Sequence, residues 1–345
     1  MNKVLEYFKN LDYKPFKKDI TVFGWKGNYD YTLCSNALPY LFEKLPIVEN
    51  IAPKTNENRD GRLKENKYIC VHDTGDTVPT HDAKFWSETV YHEKWMDSEA
   101  PYAASFQYVV GNDGIYHNIP DNEIGYHAGD STKFSYTLHP TGVKGSGKYT
   151  LDIKDGFYYI NNEKTLVPAP IKKDGTYPQI TEICDQGILV KNIDNEYYIG
   201  ETYFNETYKL IANRAGNNNS IGIEVCMCEG QNIFLNYARC AKLVALKLNE
   251  NNLTLDDIKQ HHYFSGKNCP QTLRTAKLWP MFIDLVKVEK DVLEFVNEGY
   301  KLSLTNLNNI SKEGIIININ KPYSFTLNTI FNGVTDSLNF NGKLI

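Results

Sequence analysis

No run of 18 apolar residues occurs anywhere in this 345-residue chain, so the sequence offers no membrane-spanning helix. Excess positive charge is missing too. The 37 Lys and Arg against 42 Asp and Glu leave a formal charge of −5, so there is no basic field to recruit nucleic acid or an anionic membrane. The opening MNKVLEYFKNLDYKPFKK has neither a continuous apolar core nor a small-residue cleavage site, and it does not read as a secretory signal. Cysteines number seven (34, 70, 184, 226, 228, 240 and 269), an odd count without framework spacing, so reduced thiols are expected. Without a secretory route, the acceptor patterns at Asn205 and Asn252 carry no expectation of glycosylation. A zinc-protease helix is also excluded: His92-Glu93 needs a second His at position 96, where the chain has Met96.

What is present is an ordinary globular balance, 41% hydrophobic and 23% charged, with an aromatic share of 13% that includes 24 Tyr. That share suits a carbohydrate-facing surface or β-rich packing, the latter being the commoner reason. Residues 1–66 begin with a weak helical pattern (Val4, Leu5, Phe8, Leu11), then pass through VFGWKGNYDYTL and ALPYLFEKLPIV. They end in a polar, breaker-rich stretch, 52–66, that reads as a linker or surface loop. KYICVHDTGD reads as a strand ending at His72, and 80–97 as a helix with Thr80 as N-cap. SFQYVVGNDGIYHNIP, 105–120, is a hairpin signal with Asp-Gly at its turn. From 131 to 215 short alternating pieces (KYTLDI, GFYYI, GILVKNI, EYYIGE) are punctuated by turn residues, which suggests a β-rich insertion. NSIGIEV is a further strand, 233–249 an amphipathic helix and 253–260 a short helix. A third helix runs from Gln271 to about Leu293 with an expected kink at Pro280, and the tail 296–345 reads as a small all-β module. Together these give an α/β layout around one mixed sheet.

Three places carry chemistry. QHHYFSGKNCP puts His261, Lys267 and Cys269 in one turn-rich segment, and imidazole and thiolate are the best protein ligands for Zn²⁺. His72 ends a buried strand and is followed by Asp-Thr-Gly-Asp, where loops gather and sites are built; a hydrogen-bonded structural histidine is the alternative. Glu224 stands in the middle of an otherwise apolar strand, which is costly unless the carboxylate is paired or working. His127, between Tyr126 and Ala-Gly, is open between ligand, substrate contact and packed loop residue. Cys226 and Cys228, one residue apart on a strand face, read as buried small apolar groups rather than ligands.

Taken in order, VHDTGD, IGYHAGD, NSIGIEV and HHYFSGKNCP resemble the zinc-dependent N-acetylmuramoyl-L-alanine amidases of the amidase-2 family. Phage endolysins, autolysins and peptidoglycan recognition proteins are relatives of that family. The resemblance implies a mixed central β-sheet flanked by helices, formed by 67–130 and 216–292. The segments 1–66, 131–215 and 296–345 are then an N-terminal extension, a β-rich insertion and a C-terminal β-rich module. It further implies Zn²⁺ held by His72, His261 and Cys269, proton transfer by Glu224, and Lys267 facing the scissile amide. His127, Phe106 and Asn219 would line the substrate groove. Phe106 stands where one branch of the family has a catalytic Tyr, which moves the weight of proton transfer to Glu224. The implied activity is hydrolysis of the amide between N-acetylmuramic acid and L-alanine; a non-catalytic peptidoglycan binder and a cytoplasmic recycling amidase are the alternatives. The expected partner is peptidoglycan, met by a monomer that is made in the cytoplasm and reaches the wall by phage-type release or non-classical export.

Overall fold

Alternation of apolar and chemistry-bearing residues in two strands decides how the middle of the chain is built. In the computed structural model, the described residues are 1–11, 46–59, 61–97, 103–129, 132–172, 174–180, 183, 188–204, 216–310 and 321–343, with four short strands between 15 and 34. Most of VFGWKGNYDYTL and ALPYLFEKLPIV, and the Asn205 pattern, lie outside them. Six strands form the central sheet: β1 (Ile47–Glu49), β2 (Tyr68–Asp73), β3 (Tyr108–Val110), β4 (Ile115–His117), β5 (Ser220–Val225) and β6 (Ile258–Gln260). Their order is β6-β2-β5-β3-β4-β1. β6, β2, β5 and β3 are parallel, β4 returns antiparallel to β3 through the expected hairpin, and β1 runs parallel to β4. The sheet is therefore mixed, as expected.

The parallel strands are covered on both faces, which is why they read as nearly continuous apolar runs. Ile69, Val71, Ile221, Ile223 and Val225 all face one large core. That core is filled by α3 (Ile233–Glu250) and α6 (Trp279–Asn297), with Phe234, Tyr237, Val244, Phe282 and Val286 fully buried. The opposite face of β2 and β5 presents Cys70, His72, Gly222 and Glu224, and carries the chemistry described below.

The N-terminal helix α1 (Lys3–Asn10) packs Val4, Leu5 and Phe8 into the same core, as do Tyr300, Leu302, Tyr323, Phe325 and Leu327 of the tail. The tail is a three-stranded antiparallel sheet of Lys301–Asn308, Pro322–Phe331 and Val334–Lys343, with the second strand in the middle. Asn2 pins the chain start to it, through Asp336 (2.9 Å) and Thr329 (2.6 Å). The insertion has its own core of Tyr158, Ile160, Val167, Tyr197 and Ile199 between two three-stranded antiparallel sheets. Asp155-Gly156, Asn161-Asn162 and Asp194-Asn195 all have positive φ, the backbone that a two-residue hairpin turn demands.

Four local expectations change. The helix expected over 80–97 is α2 (Ala83–Tyr91), capped by Asp82 rather than Thr80; the Asp82 side chain accepts from the Phe85 amide at 2.9 Å. Residues 253–260 form one short turn, Leu255–Asp257, and then β6, because pairing with β2 overrides the local helical pattern. Pro280 does not kink a long helix: α5 (Gln271–Thr275) stops, and Pro280 lies in the first turn of α6, where its missing N–H costs nothing. The polar 52–66 stretch is no free linker. Ala52, Asn58 and Arg59 are buried, and Arg59 makes a bidentate pair with buried Glu123 at 2.7 and 2.8 Å.

The described free cysteines, 70, 226, 228, 240 and 269, are all buried thiols. The side chains of Cys34 and Cys184 lie outside the described residues. Among the described residues no helix is long and apolar enough to cross a membrane.

Candidate metal centre

The register of β5 against β2 sets the first pair. Gly222 stands beside Cys70 and Glu224 beside His72, so two rows of side chains cross the same face of the sheet near its C-terminal edge. His72 is 1% exposed, and its Nδ1 lies 3.7 Å from Glu224 Oε1. The next element brings the thiol. After β6, His261 opens the one-turn helix α4 (His261–Ser265), which Gly266 ends in the left-handed conformation at φ 77°. The chain then turns back, so that the His262 amide donates to the Cys269 carbonyl at 3.1 Å. That bond closes the loop between His261 and Cys269 and places Cys269 Sγ 3.7 Å from His72 Nδ1. The His261 and His72 rings are 4.8 Å apart, centroid to centroid.

One ligand atom each from His72, His261 and Cys269 therefore lies within 4.8 Å of the others, and all three residues are buried. Two imidazoles and a thiol converging in a buried cluster, with a carboxylate beside them, is the donor chemistry that fits Zn²⁺. Asp73 anchors the same corner from behind: its Oδ2 accepts from the Thr272 amide at 2.7 Å, tying the end of β2 to the residues just after Cys269.

Burial dominates the electrostatics. It lifts the Glu224 carboxyl to about 8; the Lys267 charge pulls against this and Asp73 adds to it. Burial also lifts Asp73 to about 7 against its hydrogen bond from Thr272, and pushes the Cys269 thiol up, with Glu224 and Asp73 adding to the effect. His72 is driven well below the usual imidazole range by burial and then by His261, His127 and Lys267. Burial thus favours the neutral forms of Glu224, Cys269 and His72 in the absence of a cation, and a cation arriving among them would favour the thiolate and carboxylate. Lys267 stays exposed on the turn, where its charge bears on His72, Glu224 and Cys269.

A family model described as N-acetylmuramoyl-L-alanine amidase, the amidase-2 family, matches residues 62–272, more than half of the chain. The chain belongs to the amidase-2 family. It is 30% identical over 98 residues to N-acetylmuramoyl-L-alanine amidase CwlH of Bacillus subtilis, across 28% of this chain and 36% of that protein. It is 21% identical over 227 residues to N-acetylmuramoyl-L-alanine amidase XlyA of the same organism, across 66% of this chain and 47% of that protein. The chain thus spans less than half the length of either relative. Among solved structures, the catalytic domain of XlyA aligns with a TM-score of 0.42 at 20% identity, over 70% of this chain and 99% of that one. PlyL aligns with a TM-score of 0.41 at 15% identity, over 70% and 97%.

Within this amidase-2 chain, the expected ligands and Glu224 come together, with Lys267 at the rim. The other expected site residues do not all join them. Phe106 is buried in an apolar cluster with Ala52, Ala83, Val90, Val109, Ile119 and Cys226. Asn219 precedes β5 at the opposite end of the strand from Glu224, where its carbonyl accepts from the Lys67 and Tyr68 amides. His127 does reach the centre, on the other side of the His72 ring, with Nδ1 3.0 Å from His72 Nε2. Sequence reasoning passed over Cys70, Asp73, Asn217 and Gly222. The period of two in YICVHD and SIGIEV was the available signal for Cys70 and Gly222, since both share a face with the proposed chemistry. Nothing local marks Asn217, which accepts from the His127 and Ala128 amides at 2.9 and 2.7 Å across 90 residues of chain.

Proposed function

We propose that this chain is a zinc-dependent N-acetylmuramoyl-L-alanine amidase that cleaves the amide joining N-acetylmuramic acid to the L-alanine of peptidoglycan. The observation that supports it best is the buried convergence of His72, His261 and Cys269 beside Glu224, in a chain of the amidase-2 family. The metal would be held by His72 Nδ1, His261 and Cys269 Sγ. When bound, Zn²⁺ supplies Lewis-acid polarisation of the amide carbonyl and makes water more acidic.

The remaining work falls to the chain itself. Glu224 Oε2 is buried and accepts no hydrogen bond among the described residues, so it is available to take a proton from the attacking water and pass it to the departing amine. Lys267 presents an exposed ammonium to the same cluster and offers charge to the carbonyl oxygen as it becomes anionic, an effect worth about 3 kcal/mol by analogy with single oxyanion donors. Catalytic residues would come from 67–130 and 216–292; the insertion, which has its own core, would act as an accessory to them. Peptidoglycan is the proposed substrate and cell-wall lysis or remodelling the proposed role.

The test is mass spectrometry of purified peptidoglycan after digestion. Release of intact stem peptide with a free L-alanine amine is expected; bound but uncut polymer would make the chain a binding protein instead. Metal analysis accompanies it: about one zinc per chain is expected, lost in Cys269→Ala, and full zinc in that variant would remove Cys269 from the centre.

A further inference from the structure

The two nitrogens of His72 face two different groups. Nδ1 looks toward Cys269 Sγ and Glu224 Oε1, each at 3.7 Å. Nε2 looks the other way, at 3.0 Å from both His127 Nδ1 and Cys70 Sγ. A neutral imidazole carries one proton, and it can bind a metal only through the other nitrogen. The partner at Nε2 therefore decides which nitrogen faces Glu224 and Cys269 as a bare lone pair.

We propose that His127, seated against Gly222 and backed by Cys70, is a positioning residue that accepts the Nε2 proton of His72 and so presents His72 Nδ1 as the metal ligand. This rests on the reading of His72 as a ligand. Three features hold His127 in that role. Its ring lies flat on β5 at the one position without a side chain: a Cβ on Gly222 would come within 2.6 Å of His127 Cγ and Cδ2 and 2.8 Å of Nδ1. The Gly222 amide is held by Gln107 Oε1 at 2.7 Å, so the strand cannot drift away from the ring. The 127–128 backbone is clamped by Asn217 Oδ1, and the Ala128 carbonyl accepts from the Gly216 amide at 2.9 Å.

With the His72 Nδ1 lone pair turned to the metal, its one proton sits on Nε2, so the acceptor is His127 Nδ1 and His127 carries its own proton on Nε2; two protonated nitrogens could not approach to 3.0 Å. The Cys70 sulfur packs on the same His72 nitrogen as a weak acceptor and fills the space below it. Cys70, His72 and His127 also bring one ligand atom each within 4.8 Å. His72 has a single lone pair to offer, however, and Nδ1 spends it on the Glu224 and Cys269 side. The second triad is an orienting group, not a second metal site.

The experiment compares the full-length wild type with His127→Leu, His127→Asn and Gly222→Ala. Zinc affinity is read by competition with a chromophoric chelator, and urea midpoints are read on the chelator-stripped chains. An outer partner of a ligating histidine is typically worth 10–100-fold in metal affinity, so H127L and G222A should bind zinc that much more weakly. H127N, whose Oδ1 supplies an acceptor near the position of Nδ1, should recover most of the loss at the same stripped-chain midpoint as H127L. Wild-type affinity in H127L, or no recovery in H127N, overturns the proposal. On the wild type alone, ¹⁵N NMR of the zinc-loaded chain should find the His72 proton on Nε2; a proton on Nδ1, or two zinc ions per chain with one lost in Cys70→Ala, also overturns it. A wild type that binds no zinc would bring down the ligand reading as well, whereas equal affinities in wild type and H127L bring down the positioning alone.

Discussion

Replacing Glu224 by Gln isolates the cost of keeping a carboxyl group in this corner of the sheet. Oε2 has no hydrogen-bond partner among the described residues, and burial lifts the group from 4.5 to about 8. At 1.36 kcal/mol per unit, that rise corresponds to about 5 kcal/mol of differential stability between the protonated and ionised forms. The sign follows from proton counting. Between pH 4.5 and about 8 the folded chain holds a proton on Glu224 that the unfolded chain has released, so rising pH destabilises the fold through this range. Gln cannot ionise and escapes that loss.

In chelator-stripped protein, urea unfolding should therefore show E224Q gaining on wild type as pH rises, by about 4 kcal/mol between pH 5 and pH 9. Groups that do not feel the Glu224 charge titrate alike in both proteins and cancel in the comparison; Asp73 and Cys269 do feel it. An offset that is the same at both pH values would refute the reasoning, because it would mean that Glu224 is ionised or solvated throughout. Given zinc, the same variant should keep the metal and lose at least ~10²-fold in hydrolysis, the contribution of a positioned general acid–base group. Turnover at the wild-type rate would assign the proton to another residue.

Lys267→Ala should retain full zinc by metal analysis yet lose roughly 10²–10³-fold in turnover, the usual cost of removing one oxyanion donor. Asp121 tests a carboxyl shifted the opposite way: burial raises it, but hydrogen bonds and charge from His117, Lys247 and Tyr108 outweigh this and hold it at about 2 instead of 3.8. A depressed carboxyl stabilises above its unfolded value and loses that contribution as pH falls toward 2. Asp121→Asn should thus cost about 2 kcal/mol at pH 7 and almost nothing near pH 2 in denaturant melts; an equal cost at both ends would mean that the ion pairs are not its source. Phe325 is 1% exposed in the main core and stacks on Phe340 at 4.7 Å. Phe325→Ala should cost about 3–5 kcal/mol of global stability, measured by urea unfolding of the whole chain, whereas a change under ~1 kcal/mol would make the tail an independent appendage.

Much of the fold was legible because it is written in local periodicity. The period of two in YICVHD and SIGIEV, the Asp-Gly turn at 113–114 and the apolar stripe of 233–249 each specify an element without help from distant residues. Where local pattern and long-range pairing disagreed, as at 253–260, pairing with β2 won, because the ladder to a buried strand outweighs a weak helical preference. The tail illustrates the same limit. Its strands could be read from alternation, but alternation does not say what their inner face covers, and here Tyr323, Phe325 and Leu327 complete a core shared with α1 and α6.

The sequence by itself determined the chemical types of the centre: two histidines, a thiol, a carboxyl group and a lysine, in four short segments whose order carries the family likeness. Only the tertiary structure decided their geometry. Parallel pairing of β2 with β5 puts Glu224 beside His72, and the closed turn from His261 to Cys269 returns the thiol to a histidine 197 residues earlier. It also packs Phe106 in an apolar cluster, puts Asn219 at the far end of β5 and sets His127 against a glycine, with its Nδ1 3.0 Å from His72 Nε2. The physical reason is that residue type is local, whereas strand register and ring orientation are set by packing between segments far apart in the chain.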